Sequence, residues 1–148
     1  MVSEVDEFLG DVVPRQMAAE RALLQGEVEP WMAAWSSRDP VTLFGAAVRV
    51  RCGWDEVTRV FRWLASRFSD VSDYRLDVVA AGVSGDLAYT VGFEHKTVCA
   101  DGEQATYTLR VTHVYRREDG KWKIVHRHGD HPPADAAPVL ESQPSSTR

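Results

Sequence analysis

The sequence predicts an α+β domain with its helices first and a long antiparallel meander second, and three observations carry that prediction. Trp54, Val57, Phe61, Leu64, Ala65 and Phe68 recur at three- and four-residue steps, the repeat of an amphipathic helix. The runs Tyr74 to Val83, Leu87 to Val98 and Ala105 to Arg116 alternate with period two, as half-buried strands do. A fourth run, Lys121 to His128, follows Asp119-Gly120, and Asp-Gly between alternating runs is a strong hairpin signal. Helices segregated ahead of strands define the class.

The elements follow in order. Residues 1–13 hold Val5, Phe8, Leu9, Val12 and Val13, enough for a short docking helix or a loose arm. Pro14 suits the first turn of a helix, where its missing N–H costs nothing, so a helix is expected from Arg15 to Gln25, ended by Gly26. A second helix is expected from Pro30 to Trp35, stopped by Ser36-Ser37-Arg38-Asp39-Pro40, and Val41 to Phe44 reads as a short strand. The third helix spans 54–68, and the four strands follow. After Asp130 the chain becomes His131-Pro132-Pro133 and then Ala, Pro, Ser and polar residues to Arg148. The division is an arm at 1–13, a domain at 14–131 and a tail at 132–148 that is expected to be disordered.

Composition narrows the function. At 148 residues the chain has the length of one compact domain. Its formal charge of -5 disfavours a nucleic-acid partner, since a phosphate-binding surface carries a basic excess. Cys52 and Cys99 make neither a disulfide framework nor a CxxC motif. Met1-Val2-Ser3-Glu4 is not the start of a signal peptide, and no run is long enough to span a membrane. The expected location is cytoplasmic.

The hairpin sorts the strands into faces. With Asp119 and Gly120 as the loop, Tyr115 pairs with Ile124, His113 with His126 and Val111 with His128. One face then carries Tyr107, Leu109, Val111, His113, Tyr115, Ile124, His126, His128 and Asp130. Being the more apolar, it is expected to lie under the helices. The same parity adds Leu87, Tyr89, Val91, Phe93 and His95. A three-residue loop would instead turn Val125 and Arg127 inward. Four imidazoles and a carboxylate do not suit a dry core, because unsatisfied buried polar groups cost a few kcal/mol each. The covered face therefore reads as a pocket, apolar at its base and polar at its mouth.

Asp39-Pro40-Val41-Thr42-Leu43-Phe44-Gly45, Gly53-Trp54-Asp55-Glu56-Val57, Gly85-Asp86-Leu87-Ala88-Tyr89 and the run from Arg110 to His128 resemble the SnoaL-like branch of the nuclear transport factor 2-like superfamily. The last run is also similar to the association (hub) domain of calcium/calmodulin-dependent protein kinase. The resemblance covers roughly residues 15 to 131. It implies a cystatin-like cone, in which a curved antiparallel sheet wraps about three helices, and a homodimer formed through the outer sheet face. Its members include ketosteroid isomerase, polyketide cyclases, dehydratases and non-catalytic assembly domains. The fold alone names no activity.

The candidate chemistry is proton abstraction on a small, largely apolar carbonyl compound without a cofactor. His126 or His128 would be the base, Asp130 its orienter, and His113 or a tyrosine the donor to the oxyanion. His95, Phe93, Tyr107, Tyr115, Trp35, Trp63 and Phe61 are the candidate substrate-binding residues. Three converging histidines, His95, His113 and His126, are the residue type that binds zinc, yet no spacing motif supports a metal site and no metal is expected. Arg110 falls on the outer face and reads as an interface residue; in the other register it becomes a pocket cation. The alternative function is a binding or oligomerisation module that uses the same pocket without chemistry.

Overall fold

The computed structural model describes residues 2–133. The first helix, α1, runs unbroken from Glu4 to Leu24, capped by the Ser3 hydroxyl accepting from the Asp6 N–H at 3.1 Å. The two segments that the sequence separates at Pro14 are thus one helix. Pro14 faces solvent, and the residue four before it, whose carbonyl its ring would crowd, is the equally exposed Gly10. The buried side of α1 carries Phe8, Val12, Gln16, Ala19, Glu20, Leu23 and Leu24. A short α2 (Glu29–Ala34) buries Trp31, and α3 (Trp54–Arg67) buries Val57, Val60, Phe61 and Ala65.

The strands are β1 (Thr42–Phe44), β2 (Arg51–Cys52), which the sequence reading did not expect, β3 (Phe68–Ser84), β4 (Leu87–Ala100), β5 (Glu103–Glu118) and β6 (Lys121–Asp130), the last four longer than the periodicity suggests. They form one curved, open sheet in the order β2-β1-β6-β5-β4-β3. It is antiparallel except at β1, which lies parallel to β6 with Leu43 opposite Arg127. The class is α+β, as the sequence predicts. Asp101-Gly102 and Asp119-Gly120 turn the last two hairpins with positive φ at both residues, the geometry a two-residue turn needs. Register shifts at Ser69/Asp73 and Val78/Ala80 on β3, and at Val125 on β6, bend the sheet around the helices.

The shift on β6 overturns the expected facing. Tyr115 does pair with Ile124, but Val125 is an extra residue, so Val114 pairs with His126 and His113 with Arg127. From there on β6 has the opposite parity: Arg127 and Gly129 point inward, and His126, His128 and Asp130 point outward. Strand β4 is also reversed from expectation. Ala88, Thr90, Gly92, Glu94, Lys96 and Val98 are buried, whereas Leu87, Tyr89, Val91 and Phe93 are exposed. The inward face of β5, with Leu109, Val111, His113 and Tyr115, is as expected, and so is Arg110 outside.

The core has two parts. In the larger, Phe8 meets Tyr115 and Trp122 edge-on at 5.1 and 5.2 Å, and Trp31, Trp35 and Phe61 pack together. The smaller joins Leu24 to Tyr74, Leu76, Val98, Leu109 and Val111. No helix among the described residues is long and apolar enough to cross a membrane.

Gly92 sits where β3 bulges, and a Cβ there would come within 2.0 Å of the Asp77 carbonyl oxygen, a backbone atom. Gly92→Ala is expected to lower stability by about 3 kcal/mol, the upper range for overpacking. Urea unfolding would show it, and an unchanged midpoint would contradict the close approach.

Candidate functional site

Glu20 of α1, Glu94 and Lys96 of β4 and Arg127 of β6 meet beneath the helices. Lys96 Nζ donates to Glu20 Oε2 at 2.7 Å and lies 3.1 Å from Glu94 Oε1. Arg127 reaches the two Glu94 oxygens at 2.7 and 2.8 Å, a bidentate pair, and Glu20 Oε1 at 3.5 Å. Tyr74 donates to Glu94 Oε2 at 3.2 Å. Two carboxylates balance two cations, which is what makes such burial tolerable; a lone buried charge costs several kcal/mol.

The two carboxylates differ. Burial pushes the Glu20 carboxyl up, and the Glu94 charge beside it adds to the effect. Burial opposes ionisation of Glu94 too, but the charges of Arg127 and Lys96 and the hydrogen bonds of Arg127 outweigh it, holding this carboxyl well below its usual range. Burial works against the Lys96 ammonium, yet the two carboxylates outweigh it and raise its pKa.

Behind Arg127 lies His113, fully buried. Its Nε2 is 3.0 Å from Arg127 Nη1 and accepts that N–H, since the guanidinium can only donate. Burial first, and the Arg127 charge second, push this imidazole down to about 3. Gln16 lies against the same ring at 3.4 Å and accepts from the Tyr115 hydroxyl, which Thr90 approaches at 3.3 Å.

In front of the cluster is a cavity of about 250 Å³. Leu23, Leu24, Trp31, Leu43, Val60, Phe61, Leu64, Phe68 and Leu109 supply apolar wall; Glu20, Lys96 and Arg127 supply charge, and Arg67, Tyr107 and His131 also line it. Glu94 stands behind its partners and does not line it. An apolar chamber with a few converging polar groups is the usual form of a small-molecule site.

The expected site residues separate into four places. Phe61 and Tyr107 line the cavity. His113, Tyr115 and Trp35 are buried in the interior behind it. His126, His128 and Asp130 lie on the outer sheet face instead of converging with His113, because the Val125 bulge turns them out. There His126 Nδ1 meets Thr42 Oγ1 at 2.7 Å, Phe44 packs against both rings, and Asp130 takes a bidentate bond from Arg110 at 2.8 and 2.9 Å. Burial, then the neighbouring His128, lowers the pKa of His126. Phe93 and His95 also face outward, with His95 between Thr108 at 2.9 Å and Asp77 at 3.0 Å. Trp63 is 44% exposed on α3. No group of three or more metal-ligating side chains occurs among the described residues.

Sequence reasoning missed Glu20, Glu94 and Lys96, and it turned Arg127 inward only in the alternative register of the hairpin. A signal existed for Glu20. It follows Phe8, Val12 and Gln16 at four-residue steps, on the helix stripe that the apolar residues occupy. Nothing local marks Arg127.

A helix-filled, half-open cone with a chamber beneath its helices defines a pocket-bearing α+β class. A cystatin-like protein from Nostoc punctiforme has that fold, with 20% identity over 94% of this chain and 98% of that one at a TM-score of 0.59. The family model for the SnoaL-like domain matches residues 18–134, and the chain belongs to that family. A proposed dehydratase of the nuclear transport factor 2-like family from Streptomyces avermitilis is 19% identical, with 86% of this chain and 96% of that one covered and a TM-score of 0.69. A proposed calcium/calmodulin-dependent protein kinase type II association domain from Thiobacillus denitrificans is 19% identical over 90% and 99%, at 0.67. At these identities the likeness is one of fold. No curated protein matches the chain.

His113 imposes a pH dependence. The unfolded imidazole takes a proton below about 6.5, whereas the folded one stays neutral until about 3. Between those values the unfolded chain binds the extra proton, so stability falls as pH falls. The loss due to this residue between pH 7 and pH 5 is expected to be about 2 kcal/mol. His113→Gln should flatten that part of the unfolding free-energy profile; an identical slope in the variant would contradict the assignment.

Proposed function

We propose that the cavity binds a small, largely apolar carbonyl compound and that Glu20 moves a proton on it, in an isomerase- or dehydratase-type reaction. The observation that carries this is which members of the cluster line the cavity. Glu20, Lys96 and Arg127 do, and Glu94 does not. A carboxylate whose pKa burial has raised is a better proton acceptor than a solvated one.

The charge balance supports the same reading. When Glu20 takes a proton from the carbon next to a carbonyl, the C–H electron pair becomes an enolate and Glu20 becomes neutral. Negative charge moves a few ångströms within the field of Lys96 and Arg127, which already sit there and need no reorganisation. Glu94 keeps Arg127 in place throughout. This reading moves the proton-transfer role from His126, His128 and Asp130 to Glu20, uses His113 only as a support for Arg127, and invokes no cofactor.

The test is hydrogen–deuterium exchange next to the carbonyl of cyclohexanone, followed by NMR in heavy water. The full chain should accelerate exchange, and Glu20→Gln should reduce that acceleration by about 10²–10⁴-fold, the usual worth of a positioned acid or base. An unaccelerated reaction with the wild-type chain would sink the enzymatic reading.

A second reading, self-assembly of the hub kind, has one specific observation in its favour. Leu87, Tyr89, Val91 and Phe93 form an outward apolar row, each 37–54% exposed. A patch of this type normally marks a contact surface, and two such sheet faces would pair as a homodimer. Sedimentation should give a dimer mass for the wild type and a monomer mass for Val91→Glu; a monomeric wild type would discard this reading.

A further inference from the structure

A second concavity adjoins the cavity, and its arginines lie in an unusual stretch of the chain. Among the described residues, Arg15, Arg38, Arg67, Arg75, Arg110, Arg116, Arg117 and Arg127 each have a carboxylate within 3.3 Å. Apart from Arg21, the described arginines without such a partner are Arg49, Arg51, Arg59 and Arg62, all within one short stretch. Arg59 and Arg62 are three residues apart on exposed α3, so they are neighbours and repel. In a chain of formal charge -5, most of the described arginines are paired, and four of the five that are not fall in this stretch.

Two of these, Arg51 and Arg59, border a groove of about 610 Å³. Arg51, Arg59 and the exposed Trp63 line it, with one carboxylate, Glu56, whose Oε1 accepts the Cys52 N–H at 3.2 Å. Ala47, Val48 and Val60 line both this groove and the apolar cavity, so the two spaces share a wall. At the seam the Arg67 guanidinium, a cavity residue, lies 4.7 Å from the centre of the Trp63 ring. Guanidinium groups match phosphate oxygens in bidentate geometry, and an exposed indole offers a face on which a purine can stack.

We propose that the groove holds the phosphate-bearing arm of a thioester whose acyl end fills the cavity, with the phosphates on Arg51 and Arg59. The shared chemistry is the phosphopantetheine arm, carried either by coenzyme A or by a carrier protein. This rests on the reading of the cavity as the site of an apolar carbonyl compound, and it names the substrate class. A thioester supplies that carbonyl, and its neighbouring C–H bonds are more acidic than those of an oxygen ester, which suits removal of a proton by Glu20. The proton goes to Glu20, the electron pair to the thioester oxygen, and the carbon–sulfur bond stays intact.

The experiment is calorimetric titration of the full chain with three thioesters of one acyl group: hexanoyl-coenzyme A, hexanoyl-phosphopantetheine and hexanoyl-N-acetylcysteamine, which lacks phosphate. The first two are expected to bind at least about tenfold more tightly than the third, an advantage that shrinks with added salt. Replacing Arg51 and Arg59 together by Ala should erase that advantage and leave the third ligand unaffected. A further loss in Trp63→Ala for the coenzyme A ester alone identifies coenzyme A as the source; equal affinities of the two phosphate esters in both chains point to a carrier protein. Equal affinity for all three ligands, or an advantage that survives the double replacement, overturns the proposal while leaving the cavity reading intact. If coenzyme A without an acyl group binds as tightly as its hexanoyl ester, the cavity reading fails and the groove stands. Binding of none of them overturns both.

Discussion

Arg127 enters the interior because β6 carries one residue more than β5 opposite Val114. Two residues opposing one is the definition of a bulge, and its consequence is a reversal of parity for everything beyond it. With a guanidinium turned inward, the fold must provide carboxylate, and Glu94 supplies a bidentate partner at 2.7 and 2.8 Å. Glu94 in turn brings Lys96 two residues along the same face, and Lys96 is balanced by Glu20 from α1. The charges form a closed set in which each needs the others, and removing one partner would leave a buried charge uncompensated.

The helix layer is fitted to this set. For Glu20 and Gln16 to reach the sheet while Phe8 and Val12 fill the adjoining core, α1 must be one rigid piece, which the exposed Pro14 over Gly10 permits. The apolar cavity then lies where α1 and α3 stand away from the sheet, with the charged set as one wall. Its chemical character is therefore mixed by construction: dispersion from Leu23, Phe61 and Leu64, and a dense local field from Glu20, Lys96 and Arg127. A field of fixed, paired charges in a site lined mainly by hydrocarbon is stronger than the same charges in water.

The second and third helices, the long strands, the hairpin turn and the inward face of β5 were legible in the sequence because each rests on local pattern; the continuity of α1 through Pro14 and the two-residue β2 were not. The facing of β4 was not. Leu87, Tyr89, Val91 and Phe93 are more apolar than Ala88, Thr90, Gly92, Glu94 and Lys96, and apolarity decides facing only when burial of hydrocarbon is the governing term. Here ion pairing governs the inner face. The parity of β6 was illegible for a different reason. Val125 carries no glycine or other local cue to a bulge, so the ladder could not be known to slip there. His126, His128 and Asp130 inherit their side together from that one slip.

The partners in the charged set lie far apart along the chain: Glu20 and Arg127 are separated by 107 positions. Synthesis proceeds from the N-terminus, so Glu94 emerges well before the strand whose Arg127 pairs with it. Until β6 is complete, burying β4 would leave Glu94 without its bidentate partner, and hydration favours keeping that strand open. The cone is thus a structure in which the last of the described strands completes the charge pairing of its middle, and a ribosome-bound fragment ending before Arg127 has the helices and most of the sheet without the bidentate partner of Glu94.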